Sequence, residues 1–281
     1  MTGETTRFAP SPSGYLHLGH AYAALFAAES AGPEGRFLLR IEDLDQGRAR
    51  ADYEAALEAD LAWLGLDWPR PPLHQSARGK AYAAALERLR QDGLLYPCFC
   101  TRAEIRAEIA GAGQAPQGPE GPLYPGTCRG LDPARAEARL ATGEAAAWRL
   151  DMAEALARQP RLTWHDRAAG RQQAKPEVLG DAVLARKNLA ASYHLAVTLD
   201  DAAQEISLVT RGSDLFAATH LHRLLQALLD LPVPDWHHHR LITDAAGKRL
   251  AKRDDALSLQ TLRGAGWTPA DIHRALKQDP P

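Results

Sequence analysis

The chain reads as an α/β protein built on a parallel sheet, with an inserted small α+β region and a short, mainly helical C-terminal region. Three observations predict this. A strand, loop, helix, strand order opens the chain and ends near Asp43, the pattern of a βαβ unit and hence of parallel pairing. The run Phe37-Leu38-Leu39-Arg40-Ile41 is nearly continuous in apolar residues, as expected of a strand covered on both faces. The same alternation returns after about Gly180, beyond a stretch that carries every cysteine of the chain.

Composition sets the outer bounds. The 281 residues suggest about two domains. Apolar residues make up 45% and charged residues 24%, an ordinary globular mix. Lys plus Arg total 33 against 35 Asp plus Glu, a formal charge of -2, which excludes a strongly basic module but leaves room for a local RNA-facing patch. Three cysteines cannot form a disulfide framework without one left over. No run reaches the roughly 18 apolar residues of a spanning helix. Residues 1–7 lack the apolar segment of a secretory signal. The expectation is a cytoplasmic protein with no membrane contact.

The elements follow in order. A strand over residues 5–9 enters the Pro10-Ser11-Pro12-Ser13-Gly14 loop, where two prolines and a glycine impose a rigid irregular path. A helix over 17–30 is stopped by Gly32-Pro33, and the strand at 36–43 follows. Helices are predicted over 48–64 and 76–91, the first from Leu57, Leu61 and Leu64 at helical spacing, the second ended by Gly93. A strand over 94–100 leads to Thr101 and Glu104, a capping box. Residues 111–126 read as loop, Asp132-Pro133 caps a helix, and short strands are predicted at 147–150 and 162–165. Strands at 181–186 and 206–211, a helix over 215–229 and two short final helices complete the reading, with Thr268-Pro269 capping the last.

Two strings carry chemistry. His17-Leu18-Gly19-His20 places two imidazoles three residues apart, on one face if helical. Gly19 leaves space for a ring or phosphate to approach the backbone, and free amides of the first helical turn favour an anion. The plain alternative is a pair of cap or surface histidines. Gly247-Lys248-Arg249-Leu250-Ala251-Lys252-Arg253 gathers cations on a turn. Such a loop can close over a triphosphate, or can simply be a solvated basic loop or an RNA contact.

Together these residues resemble a known family. Residues 7–20, from Arg7-Phe8-Ala9-Pro10-Ser11-Pro12 to His17-Leu18-Gly19-His20, look like the opening of a class I glutamyl-tRNA synthetase catalytic domain, as does Leu39-Arg40-Ile41-Glu42-Asp43-Leu44-Asp45. The basic loop resembles the Lys-Met-Ser-Lys-Ser motif, with Arg249 at its first lysine, Ala251 at its first serine and Lys252 keeping its second lysine. The chain ends at Pro281, soon after this loop, a length that resembles the truncated paralogues, the glutamyl-Q tRNA(Asp) synthetase family.

The resemblance implies a Rossmann-type class I synthetase fold and a ligase-type enzyme. It would activate L-glutamate with ATP without needing tRNA, then attach it to queuosine at the wobble position of tRNA(Asp), meeting the anticodon arm directly. The alternatives are a catalytic fragment charging the 3′ end of tRNA(Glu), or a non-catalytic RNA-binding paralogue. The implied catalytic residues are His17, His20 and Lys252. The ATP site would use Pro10, Ser11, His17, Gly19, His20, Arg249 and Lys252, with Mg²⁺ carried mainly by the phosphates. Glutamate offers two carboxylates and an ammonium, which call for guanidinium forks and one counter-carboxylate. The family's glutamate positions match Arg7, Ala9, Ser11, Glu42, Tyr193 and Arg211.

Cys98, Cys100 and Cys128 are three thiols, one ligand short of a closed zinc site. Tyr124 matches a family pattern in which tyrosine completes the set, and His165 is the fallback. The expected zinc is structural, one per chain; the plain alternative is three reduced thiols. His237-His238-His239 reads as a strand approaching the basic loop, with one ring facing ATP, rather than as a metal site. The expected division is 1–94 and 181–230 for the two halves of the catalytic domain, 95–180 for the zinc-binding and acceptor-like insertion, and 231–281 for the ATP loop and helical end, without an anticodon-binding domain. A monomer is expected.

Overall fold

The computed structural model describes residues 3–111, 116–119, 121–242 and 258–278. β1 (Thr5–Phe8) leads through the proline loop to α1 (Leu18–Ala31), and β2 (Arg36–Ile41) returns parallel to β1 with Arg7 opposite Leu38. The loop is pinned by its carbonyls. Pro10 O accepts from the Glu42 amide and Pro12 O from the Arg50 amide, both at 3.0 Å. α2 (Ala51–Trp63) starts three residues later than the pattern suggests, because the Arg48 and Ala49 amides turn back onto Asp45 O. β3 (Leu73–His74) pairs parallel to β2. A tight turn at Gln75–Arg78 delays α3 (Gly79–Gln91), and Gly93 ends it at φ +70°, the left-handed conformation glycine tolerates.

The middle of the chain holds β4 (Leu95–Cys98), α4 (Arg102–Gly111), β5 (Gln117–Gly118), β6 (Gly121–Pro122), α5 (Pro133–Ala141), β7 (Ala147–Leu150), α6 (Met152–Arg158), β8 (Thr163–Asp166), β9 (Gly170–Gln173) and β10 (Val183–Ala185). The Thr101–Glu104 capping box forms as expected, and the Asp132 side chain accepts from the Arg135 amide to cap α5. α7 (Tyr193–Ala203), β11 (Leu208–Gly212), α8 (Ala218–Leu228) and β12 (Asp235–His239) follow, then α9 (Leu259–Gly264) and α10 (Pro269–Gln278). β3, β5, β6, α6, β9 and α7 have no counterpart among the elements the sequence predicts, and β5 and β6 replace part of the loop expected over 111–126.

β11 and β12 pair in parallel, with Arg211 opposite His238. Within the stretch read as an insertion, β7 pairs antiparallel with β4 and with β10, while β8 pairs with β12. The edges of the two parallel groups meet where the Ser207 amide donates to Thr5 O at 3.0 Å.

Two apolar clusters hold the layers. One joins Phe8, Leu25, Leu39, Ile41, Leu57 and Leu61 to Leu259 and Ile272, so the C-terminal helices pack onto the first βαβ unit. The other joins Tyr82, Leu89, Leu94, Leu150 and Leu184 to Leu195, Leu221 and Leu225 of α7 and α8. At roughly 25 cal/mol per Å² of apolar surface, burial of this kind is the main term holding the site's strands in place. Among the described residues no helix is long and apolar enough to cross a membrane.

Candidate active site

The C-terminal ends of β1, β2 and β11 and the start of α1 enclose a cavity of about 490 Å³. Arg7, Ala9, Glu42, Tyr193 and Arg211 line it together with His17, Gly19 and His20. Strand ends of an open α/β sheet are where such folds hold ligands.

His17 and His20 do not share a helix face. His17 is the N-cap residue, outside the helix. Its Nδ1 accepts from the Gly19 amide at 3.1 Å, and His20 Nδ1 accepts from the His17 amide at 3.2 Å, a reciprocal cap. The rings stack 3.9 Å apart, tilted by 36°. With both Nδ1 atoms accepting, each neutral ring carries its proton on Nε2. This corrects the expectation of free first-turn amides: Gly19 N–H is spent on the His17 ring, and the His20 and Ala21 amides go to His17 O. Any anion at this helix start therefore meets imidazoles. Gly19 matters for a further reason, since a Cβ here would lie 3.0 Å from His17 Cε1 and push that ring away.

Arg7 is buried in β1. Its Nε donates to Asp201 Oδ1 at 2.9 Å, Nη2 to Oδ2 at 3.3 Å, and Nη1 to Thr210 O at 3.0 Å. Arg40 Nη2 donates to the same Asp201 Oδ1 at 2.5 Å. Burial pushes the Asp201 carboxyl up, but the two guanidinium groups outweigh it and hold it down at about 2. Asp201 sits on α7, as does Tyr193, whose hydroxyl accepts from Arg211 Nη1 at 3.4 Å.

Glu42 follows β2. Desolvation pushes its carboxyl up to about 7, against the pull of Arg40 and Arg7. A ligand ammonium needs it ionised, so an amino acid that binds here must displace a proton near pH 7. The affinity of an amino acid whose ammonium pairs with Glu42 should rise about tenfold from pH 6 to pH 8, as the carboxyl ionises. Calorimetric titration in buffers of different ionisation heat should show proton release near pH 7, absent in Glu42→Gln.

Other expected site residues lie elsewhere. Pro10 and Ser11 do not line the cavity: the Pro10 carbonyl takes the Glu42 amide and the Ser11 carbonyl takes the Ser13 amide. Arg249 and Lys252, with the whole of 247–253, lie outside the described residues. The described chain on either side does border the cavity. Ile242 lines it, and Ser258 forms an antiparallel bridge with His17, where the Leu259 amide donates to Leu16 O at 2.7 Å. Of the three consecutive histidines, His239 lines the cavity while His238 turns inward to Asp166.

The cysteines come together as expected. Cys98, Cys100 and Cys128 Sγ all lie within 4.8 Å of one another. Thiolates on one tetrahedral zinc, with bonds of about 2.3 Å, would stand roughly 3.8 Å apart, so the donor set fits that ion. Tyr124 Oη is 3.4 Å from Cys98 Sγ and 3.8 Å from Cys100 Sγ, and it accepts from the Cys128 amide at 2.9 Å. His165 is not part of the cluster; its ring pairs with Asp235 at 3.4 Å. Buried Asp181 ties the surrounding segments by accepting from Arg129, Tyr96 and the Met152 amide.

The chain is similar to known proteins along nearly its whole length. Residues 5–278 match the family model of the catalytic domain of class I tRNA synthetases (E and Q). A glutamyl-Q tRNA(Asp) synthetase of Rhodobacter capsulatus is 51% identical over 280 residues, covering 96% of this chain and 99% of that one. A protein of the same name from Symbiobacterium thermophilum is 42% identical, over 95% and 83% of the two chains. A glutamate–tRNA ligase 2 of Nitrosococcus oceani is 39% identical but is covered over only 57% of its length. The crystal structure of a glutamate-tRNA synthetase from Elizabethkingia anophelis superposes with a TM-score of 0.72 at 28% identity, over 90% of this chain and 53% of that one.

Proposed function

The chain belongs to the glutamyl-Q tRNA(Asp) synthetase family, a branch of the class I synthetase catalytic domains, and from that premise we propose how its residues activate L-glutamate with ATP and pass it to queuosine at the wobble position of tRNA(Asp). The observation that carries the reading is the convergence of Arg7, Glu42, Tyr193 and Arg211 with His17, Gly19 and His20 on one cavity. The two guanidinium groups meet the amino acid's carboxylates, Glu42 takes its ammonium, and the Tyr193 hydroxyl lies between them and the acceptor side. The α-carboxylate oxygen attacks the α-phosphorus of ATP and pyrophosphate leaves. His17 and His20, with Lys252 from the basic stretch, donate to the phosphate oxygens as charge builds on them. Mg²⁺ travels with the phosphates. A ring hydroxyl of queuosine then attacks the glutamyl carbonyl and AMP leaves.

Room for the accepting nucleoside supports this reading. A second cavity, of about 760 Å³, adjoins the first across Tyr193 and Leu215, and Arg102, Arg149, Arg186 and Lys187 line it. Those cations suit an RNA backbone. Zinc on Cys98, Cys100 and Cys128, with Tyr124 as the fourth ligand, would brace the wall of this cavity, to which all but Cys128 contribute. Its chemistry is that of a fold-holding ion, outside the reaction. Mass spectrometry of the native protein should find one zinc per chain and none in Cys128→Ser. Action on tRNA favours a cytoplasmic location.

Labelled glutamate tests the reading. With ATP it should pass to tRNA(Asp) that contains queuosine, and not to tRNA(Asp) lacking that base or to tRNA(Glu). Label on the terminal ribose of tRNA(Glu) would instead favour charging of the 3′ end.

A further inference from the structure

Arg211 lies in the cavity wall on β11, yet it is held from behind by groups that do not line that cavity. Its Nε donates to His238 Nε2 at 3.2 Å, Nη1 to His222 Nδ1 at 3.1 Å, and Nη2 to Thr219 Oγ1 at 2.6 Å. Arg211, His238, His222 and Thr219 are all buried, none more than 8% exposed. A guanidinium can only donate, so each imidazole must present an unprotonated nitrogen to it.

The second nitrogen of each ring explains how that is secured. His238 Nδ1 lies 2.7 Å from Asp166 Oδ2, and Asp166, at the end of β8, is 1% exposed. A carboxylate accepts, so the His238 proton sits on Nδ1 and Nε2 stays free to accept from Arg211. Asp166 is itself fixed, taking the Ala168 and Ala169 amides on Oδ1 at 2.9 and 2.8 Å. On the other side His222 Nε2 lies 3.1 Å from His194 Nδ1. With Nδ1 of His222 accepting from Arg211, its proton sits on Nε2 and is donated to His194. Both rings are therefore neutral: Asp166 sets the tautomer of His238, and His194 offers an acceptor that matches the tautomer His222 needs to face Arg211. The second N–H on Nη2 and the long contact to Tyr193 are what the guanidinium keeps for a ligand carboxylate.

We propose that His238, oriented by Asp166, and His222, oriented by His194, are positioning residues for glutamate recognition: they hold the Arg211 guanidinium in plane and leave it the only charged group of this network aimed at the substrate carboxylate. This rests on the functional reading above and adds to it residues that do not line the amino-acid cavity. The geometry parallels the ordering of a metal-bound imidazole by a second ring of partners, with a guanidinium in place of the metal.

The test uses two pairs of full-length variants in glutamate-dependent pyrophosphate exchange. His238→Leu and His222→Leu keep an apolar body in a buried space but cannot accept a hydrogen bond. His238→Gln offers an amide oxygen near the position of Nε2, and His222→Asn offers one near Nδ1. The leucine variants should raise the KM for glutamate about 10- to 100-fold, the worth of a buried hydrogen bond to a charged group, with the KM for ATP changed less than about twofold. The amide variants should recover most of that loss. A purely packing role predicts the reverse order, with leucine tolerated and the buried amide harmful. Unchanged glutamate KM in both leucine variants, or no recovery by either amide, would overturn the assignment. Absence of exchange in the unsubstituted protein would overturn the functional reading itself, and the assignment with it.

Discussion

Lys252→Ala should cut glutamate-dependent pyrophosphate exchange about 100- to 1000-fold, the usual cost of losing one preorganised donor to a developing charge. The KM for glutamate should hardly move, because Arg7 and Arg211 sit on β1 and β11 and Glu42 directly follows β2, all held by strand pairing. The melting temperature should also hold, since the apolar contacts that carry the C-terminal helices come from Leu259, Leu262, Ile272 and Leu276. Lys252→Arg should restore part of the rate, since it returns the charge without the compact ammonium. The basis is positional as well as sequence-based: Ile242 lines the cavity, and Ser258 bridges to His17, which lines it too. Exchange at full rate in Lys252→Ala would remove the basic stretch from the mechanism and leave the two imidazoles as the phosphate donors.

Asp201→Asn should be the most destabilising single change near the site. The carboxylate is 7% exposed and neutralises both Arg7 and Arg40, each of which is 5% exposed or less. Removing its charge leaves two buried guanidinium groups facing one another, at a cost of about 3–5 kcal/mol. Against a typical total of about 5–15 kcal/mol, that should move the urea midpoint well down. The pH dependence follows from the depressed pKa. With a folded value near 2 against 3.8 for the free side chain, the ion pairs contribute fully above pH 4 and are lost as pH falls through 2. The part of the difference due to Asp201 itself should thus be constant above about pH 4 and shrink in acid, while Glu42, which titrates near 7 and feels the Asp201 charge, should ionise more easily in the variant and narrow the gap as pH rises from 5 to 8. The KM for glutamate should rise as well, because Arg7 loses the fork that sets its plane. A urea midpoint equal to that of the unsubstituted protein at pH 7 would show that Arg7 and Arg40 draw their compensation from elsewhere.

Much of the site is legible because it is local. Arg7, His17, His20 and Glu42 fall on one βαβ unit, where a strand, a proline loop and a helix start can be read from residue types a few positions apart. The three cysteines stand out by composition alone. The histidine pair was half legible: its spacing placed it at a helix start, but only the backbone showed that His17 caps the helix and spends the Gly19 amide. α7 was not legible. Thr198, Asp200 and Asp201 are buried along it, so the apolar stripe that marks a helix is broken by the very residues that organise the site.

The residues by themselves carried the family resemblance, the opening βαβ unit and the residue types of the site, because each rests on neighbours in sequence or on a short motif. Tertiary structure alone decided which polar groups pair in the interior. Asp201 meets Arg7 across 194 positions, and His238 meets Asp166 across 72. Buried donors and acceptors must find partners wherever the fold brings them, and no periodicity along the chain records that choice.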